Sequence, residues 1–252
     1  MAKYFVGSFL LFLLVASCKK QNETFKTASV SDYFPMQVGK YITYNLDSTL
    51  FTHFGQTQTV IHYQAQDRVD AQVIDNMGRP SFRIIRFIRK SESQPWVANN
   101  TFMVTLTGNS VEYNENNLRF VKLRLPVVQD FSWKGNSFIN TTSNDPGLQY
   151  LDDWDYIYDS VGIPLTINSL VIDSTVKVFE RDEFLGKDPT NASSQYAEKT
   201  YSVEKYGKGI GLIYREFLRW EYQGPQPPYP ASPVVPGYYV GYGVKMSIID
   251  HN

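Results

Sequence analysis

Cysteine is almost missing from this chain: its 252 residues contain one, Cys18. No disulfide can form within the chain and no thiolate pair can hold zinc. Histidine is scarce as well. His53, His62 and His251 lie far apart without a ligand spacing such as H-x-x-x-H; two could face each other across a hairpin, yet no metal site is expected. Neither sign of charge dominates, with 24 Lys and Arg against 25 Asp and Glu. Binding to a polyanion needs clustered cations. The one basic run, Arg83-Ile84-Ile85-Arg86-Phe87-Ile88-Arg89-Lys90, sets its charges among apolar pairs and reads as the solvated face of a strand. Nothing here makes a case for nucleic acid as a partner. The nucleophile elbow G-x-S-x-G is absent, and so is the phosphate loop G-x-x-x-x-G-K-[ST]. No segment reads as a helix longer than a few turns, and no cofactor fingerprint stands out.

What is present begins at the N-terminus. Lys3 supplies a positive charge, Tyr4 to Val15 is an almost unbroken apolar run, and Leu14-Val15-Ala16-Ser17-Cys18 ends it on small residues and a cysteine. This is the layout of a secretory signal peptide over residues 1–17, followed by a lipobox cysteine. The run is several residues short of the roughly 20 needed to cross a bilayer as a helix. Lipidation of Cys18 is therefore expected, with the membrane as the first partner. One acyl chain binds only marginally, at about 0.8 kcal/mol for each buried methylene; lipoproteins of this kind carry three. The leader resembles those of Gram-negative lipoproteins, and by that resemblance Lys19, which is not the aspartate associated with inner-membrane retention, implies the outer membrane, on its periplasmic or cell-surface face. Residues 18–31, rich in Gln, Asn, Thr, Ser and Lys, lack periodicity and read as a tether. The leader's one charge is Lys3, so its removal widens the acidic excess from one to two.

Residues 32–252 read as a single all-β domain. The 18 Tyr and 16 Phe favour strands. Tyr41 to Leu46, Thr57 to Tyr63, Phe82 to Ile88, Phe102 to Leu106, Leu118 to Leu125, Trp154 to Tyr158, Leu170 to Glu180, Lys199 to Glu204, Ile210 to Trp220 and Tyr238 to Ile249 are β-branched or aromatic runs. Asp75 to Pro80, Thr107 to Ser110 and Asn114 to Asn117 supply turn chemistry for hairpins. Without a repeat or a composition break, one antiparallel meander is expected, curled into a barrel, half-barrel or sandwich to protect its edges. Proline at 225, 227, 228, 230, 233 and 236 keeps the 224–237 segment out of any ladder. It is either a polyproline II arm or, as we favour, a stiff hairpin connection.

Three segments invite a chemical reading. Asp152-Asp153-Trp154-Asp155 and Glu180-Arg181-Asp182-Glu183 hold enough carboxylates for glycoside hydrolysis or calcium, but an acidic turn entering an aromatic strand explains the first equally well. Gly207-Lys208-Gly209-Ile210-Gly211 could cradle a phosphate; because a strand follows it, a tight turn with a bulge is preferred. Asp47-Ser48-Thr49, Asp159-Ser160-Val161 and Asp173-Ser174-Thr175 resemble a sequon that some Gram-negative bacteria O-glycosylate after export. Ser48, Ser160 and Ser174 are thus candidate glycosylation sites, against the simpler view that Asp-Ser pairs bond to nearby backbone at strand ends.

The segments Asp32-Tyr33-Phe34-Pro35-Met36-Gln37-Val38-Gly39-Lys40-Tyr41, Asn117 to Lys122 and Tyr201 to Tyr214, taken with the leader, resemble a family of uncharacterised Gram-negative outer-membrane lipoproteins. That resemblance implies a mostly β lipoprotein and carries over no functional residue. With every catalytic constellation missing, the reading preferred is a non-catalytic envelope lipoprotein whose domain binds a partner or supports a complex. A lipocalin-like or half-barrel carrier of an apolar ligand is the first alternative, and an enzyme on envelope polysaccharide, using the acids near Trp154, is the second. A cavity walled by Phe and Tyr would favour the carrier, facing acids in a cleft the enzyme, and a filled core the structural protein.

Overall fold

The computed structural model describes residues 28–142, 146–191, 193–226 and 234–252. The leader, Cys18 and most of the expected tether lie outside the described residues, as does the middle of the Pro-rich segment. The chain folds as one antiparallel sheet of twelve strands: β1 (Tyr41–Thr52), β2 (Thr57–Ile74), β3 (Pro80–Arg89), β4 (Val97–Leu106), β5 (Ser110–Glu115), β6 (Leu118–Arg124), β7 (Ser132–Lys134), β8 (Asp155–Ile167), β9 (Leu170–Gly186), β10 (Tyr196–Gly207), β11 (Gly211–Gln223) and β12 (Tyr238–His251). Every neighbour in the sheet is a neighbour in sequence except one, β1 beside β12, so the first and last strands meet in the middle of the sheet. The order expected of a meander is what forms.

The sheet curls until its outermost strands, β6 and β7, come together, and the result is a nearly closed barrel. At this seam the Val121 amide donates to the Gly135 carbonyl at 2.7 Å, and Trp133 Nε1 donates to the Val121 carbonyl at 2.7 Å. Such a seam removes the exposed edges that would otherwise pair with other chains. Gly135 is required there: a Cβ would lie 2.4 Å from the Tyr156 ring.

One end of the barrel is plugged. A short helix, α1 (Val30–Tyr33), is capped by Ser29, whose hydroxyl accepts from the Ser31 amide while Asp32 accepts from the Ser29 amide; this is a capping box. Val30 and Ser31, grouped with the tether on sequence grounds, thus stand in α1, and Val30 is buried. The Asp32 carbonyl receives the Gly209 amide at 2.7 Å, and Gly209 reaches it with a left-handed φ of 75°. The 207–211 segment is accordingly a tight turn between β10 and β11. Phe34 then packs against Tyr113 and Tyr206, with ring centroids at 6.3 and 5.8 Å. The tip of the β8–β9 hairpin closes over the same end, with Asn168 Nδ2 donating to the Ile248 carbonyl at 2.7 Å.

Candidate functional site

The side chains that face the barrel axis follow from period-2 alternation. Tyr44, Leu46 and Ser48 of β1 lie opposite Ile248, Met246 and Val244 of β12, and Arg215 and Phe217 of β11 lie opposite Met246 and Val244. Near the plug this interior is apolar. Midway along the axis it becomes ionic.

Two of the ionic side chains stand at β-bulges, where one strand carries an extra residue. Between β9 and β10, Ser202 pairs with Arg181 and Val203 with Phe179, leaving Glu180 as the extra residue. Between β5 and β6, Val111 pairs with Leu123 and Glu112 with Val121, leaving Lys122 as the extra residue. Both turn inward and meet: Lys122 Nζ donates to Glu180 Oε1 at 3.0 Å and to Glu204 Oε1 at 2.9 Å. Ser202 Oγ donates to the other Glu180 oxygen, and the Tyr206 hydroxyl to the other Glu204 oxygen. Lys122, Glu180 and Glu204 are all buried. On the far side of this group, Arg215 Nη1 donates to Glu115 Oε2 at 3.0 Å. Arg86 holds Asp67 through two hydrogen bonds of 2.6 and 2.7 Å and lies 4.7 Å over the Phe102 ring.

The electrostatics divide the two carboxylates that share Lys122. Burial and the neighbouring Glu204 charge push the Glu180 carboxyl up to about 7, against the pull of Lys122. Burial also works to raise Glu204, but Lys122 and Arg215 outweigh it and hold that carboxyl below the usual range. Burial opposes the charge on Lys122, and Glu180 and Glu204 together still raise its pKa. Glu115 is half-buried; burial works to raise its pKa, yet Arg215 and Arg86 outweigh that and hold its carboxyl below the usual range. The Nε of Arg215 is the exception to this pairing: it is buried without a hydrogen-bond partner among the described residues, 3.6 Å from Glu204 Oε1.

This ionic belt separates two spaces. Toward the plug, between Phe34, Tyr44, Asp67, Glu204 and Arg215, only about 50 Å³ is free. Toward the other end lies a cavity of about 430 Å³. Its floor is Arg86, Glu115, Lys122, Glu180, Ser202 and Arg215; its walls are Tyr63, Phe120, Tyr156 and Phe217; and Tyr150, Leu151, Trp154 and Tyr242 stand at its mouth. Trp154 is fixed there by its Nε1, which donates to the Tyr150 carbonyl at 2.7 Å, while Arg219 lies 4.3 Å over the Tyr150 ring. A space of this size, walled by aromatics around a few convergent polar groups, has the form of a small-molecule site.

The residues singled out in the sequence are distributed differently from expectation in several places. The basic run does not form one solvated face: Arg83 pairs with Asp70 at the surface, Arg89 lies over Trp96, and Arg86 points into the barrel on Asp67. The two acidic clusters do not act as units. Asp152, Asp153 and Asp155 are exposed, with Lys134 bridging Asp153 and Asp155, whereas Glu180 alone of its cluster is buried. The histidines are not brought together, since His62 is bonded to Asp47 at 2.7 Å and His53 to Thr52 at 3.2 Å. Among the described residues no group of three or more His, Cys, Asp or Glu is placed to hold a metal. Ser48 lines the cavity, Ser174 is bonded to the Tyr33 hydroxyl at 3.0 Å, and Ser160 lies half-buried beside an irregularity of the β8–β9 pairing.

Comparison with known proteins adds little to this geometry. A candidate exported protein with YmcC-like fold from Bacteroides fragilis aligns with 86% of this chain and 99% of its own, at 12% identity and a TM-score of 0.33. A candidate outer-membrane lipoprotein-sorting protein domain from Vibrio parahaemolyticus aligns over 85% of both chains, at 9% identity and a TM-score of 0.20. No protein-family model and no curated protein matches the chain. Similarity at this level transfers no function, and the site has to be read from its own residues.

Proposed function

We propose that the protein is an envelope lipoprotein, anchored through Cys18 to the outer membrane, whose barrel holds an amphipathic ligand in its interior. The observation that carries this reading is the 430 Å³ cavity, apolar and aromatic along its walls and ionic at its floor. A purely structural barrel has no need of that space, because interiors otherwise pack to the density of organic crystals. The carrier, first of the alternatives drawn from the sequence, therefore gains over a filled scaffold. An enzyme using the acids near Trp154 loses support, since Asp152, Asp153 and Asp155 face solvent rather than the cavity. The paired carboxylates inside are already committed to Lys122, Ser202 and Tyr206.

The ligand-binding part is tested with the mature chain from Cys18 onward, made soluble by Cys18→Ser. The amphiphile 8-anilinonaphthalene-1-sulfonate should bind saturably, one per chain, and Ser48→Phe, which fills the cavity from β1, should abolish it. Unsaturable binding, or binding indifferent to Ser48→Phe, would refute a cavity ligand. Anchoring is tested separately: globomycin or Cys18→Ala should leave uncut precursor in cells, and a processed protein still retained on membranes after either treatment would refute lipidation.

A further inference from the structure

We propose that the cavity selects amphiphiles with an anionic head, which Lys122 and Arg215 receive at the floor while the Glu180 carboxyl gives up its charge. This rests on the cavity-ligand reading and adds the chemistry of the ligand's polar end.

The floor is unevenly supplied with charge. Three cations line the cavity, Arg86, Lys122 and Arg215, but only two carboxylates, Glu115 and Glu180. The remaining partners, Asp67 and Glu204, border the small space on the plug side. Arg86 faces the cavity alone, while Lys122 and Arg215 border both spaces, with Asp67 and Glu204 on the plug side only. Arg215 is also incompletely satisfied, because its buried Nε has no hydrogen-bond acceptor among the described residues. A guanidinium in this state gains from an oxyanion, whose charge-assisted bonds are about twice as strong as neutral ones.

Glu180 makes room for that anion. The groups facing it are Lys122 from β6, Ser202 and Glu204 from β10, with Tyr156 from β8 and Arg215 from β11 near the same floor. It lines the cavity beside Lys122, to which it is hydrogen-bonded. With Asp67, Glu115, Glu180 and Glu204 ionised against three cations, the belt carries one net negative charge; with Glu180 protonated it carries none. An incoming anion accompanied by one proton on Glu180 restores the first charge state, and the proton is taken from solvent. Lys122 then exchanges one carboxylate partner for another oxyanion. Because burial beside Glu204 already brings Glu180 up to about 7, the exchange falls within the neutral range. An acidic ligand repelled by ionised Glu180 at higher pH is admitted as that group is neutralised.

The test uses two probes with one skeleton in the same soluble mature chain. 8-Anilinonaphthalene-1-sulfonate keeps its charge at all working pH values, and N-phenyl-1-naphthylamine lacks the sulfonate. The sulfonate should bind about tenfold tighter or better, with affinity rising several-fold as pH falls from 8 to 6. Glu180→Gln, a conservative change that keeps an acceptor for Ser202, should tighten sulfonate binding at pH 8 and flatten its pH dependence. Lys122→Met should remove the preference for the sulfonate. If Lys122→Met fails to fold, Glu180→Gln alone decides. Equal affinity for the two probes, or a pH dependence unchanged in Glu180→Gln, would overturn the anionic-head proposal and leave the cavity reading standing. Failure of both probes to bind the unaltered protein would overturn the cavity reading itself.

Discussion

The two ends of this barrel are built by the same strands and finished differently. At the plug end, α1, Phe34 and the tip of the β8–β9 hairpin come in over the strand termini, and about 50 Å³ is left. At the mouth end the entering segment is Pro146–Leu151 followed by Trp154; Leu151 and Trp154 are buried, yet with Tyr150 and Tyr242 they leave about 430 Å³. The strands pass through both regions with the same inward alternation. What separates core from cavity is therefore how completely the entering segment fills the strand ends, together with the ionic belt between them. Inward charge at mid-height makes complete apolar packing there impossible, because a buried charge has to be paired and hydrogen-bonded.

The comparison breaks most severely at the belt. Lys122→Met leaves Glu180 and Glu204 buried beside each other without their shared cation. Loss of one member of a buried ion pair costs about 3–5 kcal/mol. Denaturant titration near neutral pH should show this, with partial recovery in mild acid as Glu180 takes a proton. An unchanged midpoint would mean that the belt is not closed around Lys122 in solution.

Next comes the plug. Phe34 is 5% exposed, and Phe34→Ala should cost about 3 kcal/mol by cavity formation. Probe binding in the mouth cavity should be retained in conditions where the variant is folded. Equal loss of stability and of probe affinity would show that the two ends are not separable.

The pH dependence of stability sharpens the account further. Glu180 has a folded pKa of about 7 against an ordinary 4.5. As an acid with a raised value it favours the folded state when protonated. Its contribution is full below the unfolded value and is lost as pH rises through the folded one, by about 2 kcal/mol between pH 5 and pH 7. Glu204 and Glu115 have lowered values and act in the opposite sense, their contribution being lost as pH falls below the ordinary carboxylate range. In Glu180→Gln the decline between pH 5 and pH 7 should vanish while the loss in stronger acid remains. Thermal melts across that range check this, and a decline that survives the substitution would assign it to another group.

The smallest effect on stability is expected at the mouth. Tyr242 is 46% exposed, and Tyr242→Ala should cost less than about 1 kcal/mol, as half-exposed positions generally do. Probe affinity should nonetheless fall several-fold. A variant that binds as well as the unaltered protein would remove Tyr242 from the site.

Much of the architecture was legible in the sequence and much of the site was not, for a common reason. Alternating aromatic and β-branched runs with turn clusters between them mark ten of the twelve strands, because those signals are local. β5 falls between two turn clusters and β7 has three residues, too little for a pattern. Several strands also run further than their apolar segments: β2 continues to Ile74 through Gln64, Gln66 and Asp67, polar positions that pairing with β1 and β3 carries along. The site depends on inward charge, which a reading of apolar residues as interior assigns to solvent. For that reason Arg86 reads as a surface residue and Glu180 as one with its exposed neighbours. Glu180 continues the alternation of Val176 and Val178, and Lys122 that of Leu118 and Phe120, so it is their charge and not their spacing that hides them. One signal was available: Lys122 lies between Val121 and Leu123, and Glu204 follows Val203 in a segment of otherwise strong strand formers.

The central claim, that the barrel interior is a ligand site, is tested most directly by native mass spectrometry of the protein purified from its native host. The account predicts a bound amphiphile at one per chain, lost from the Ser48→Phe protein prepared in the same way. Bare protein in both preparations, with no uptake when the unaltered chain is offered anionic amphiphiles, would contradict it.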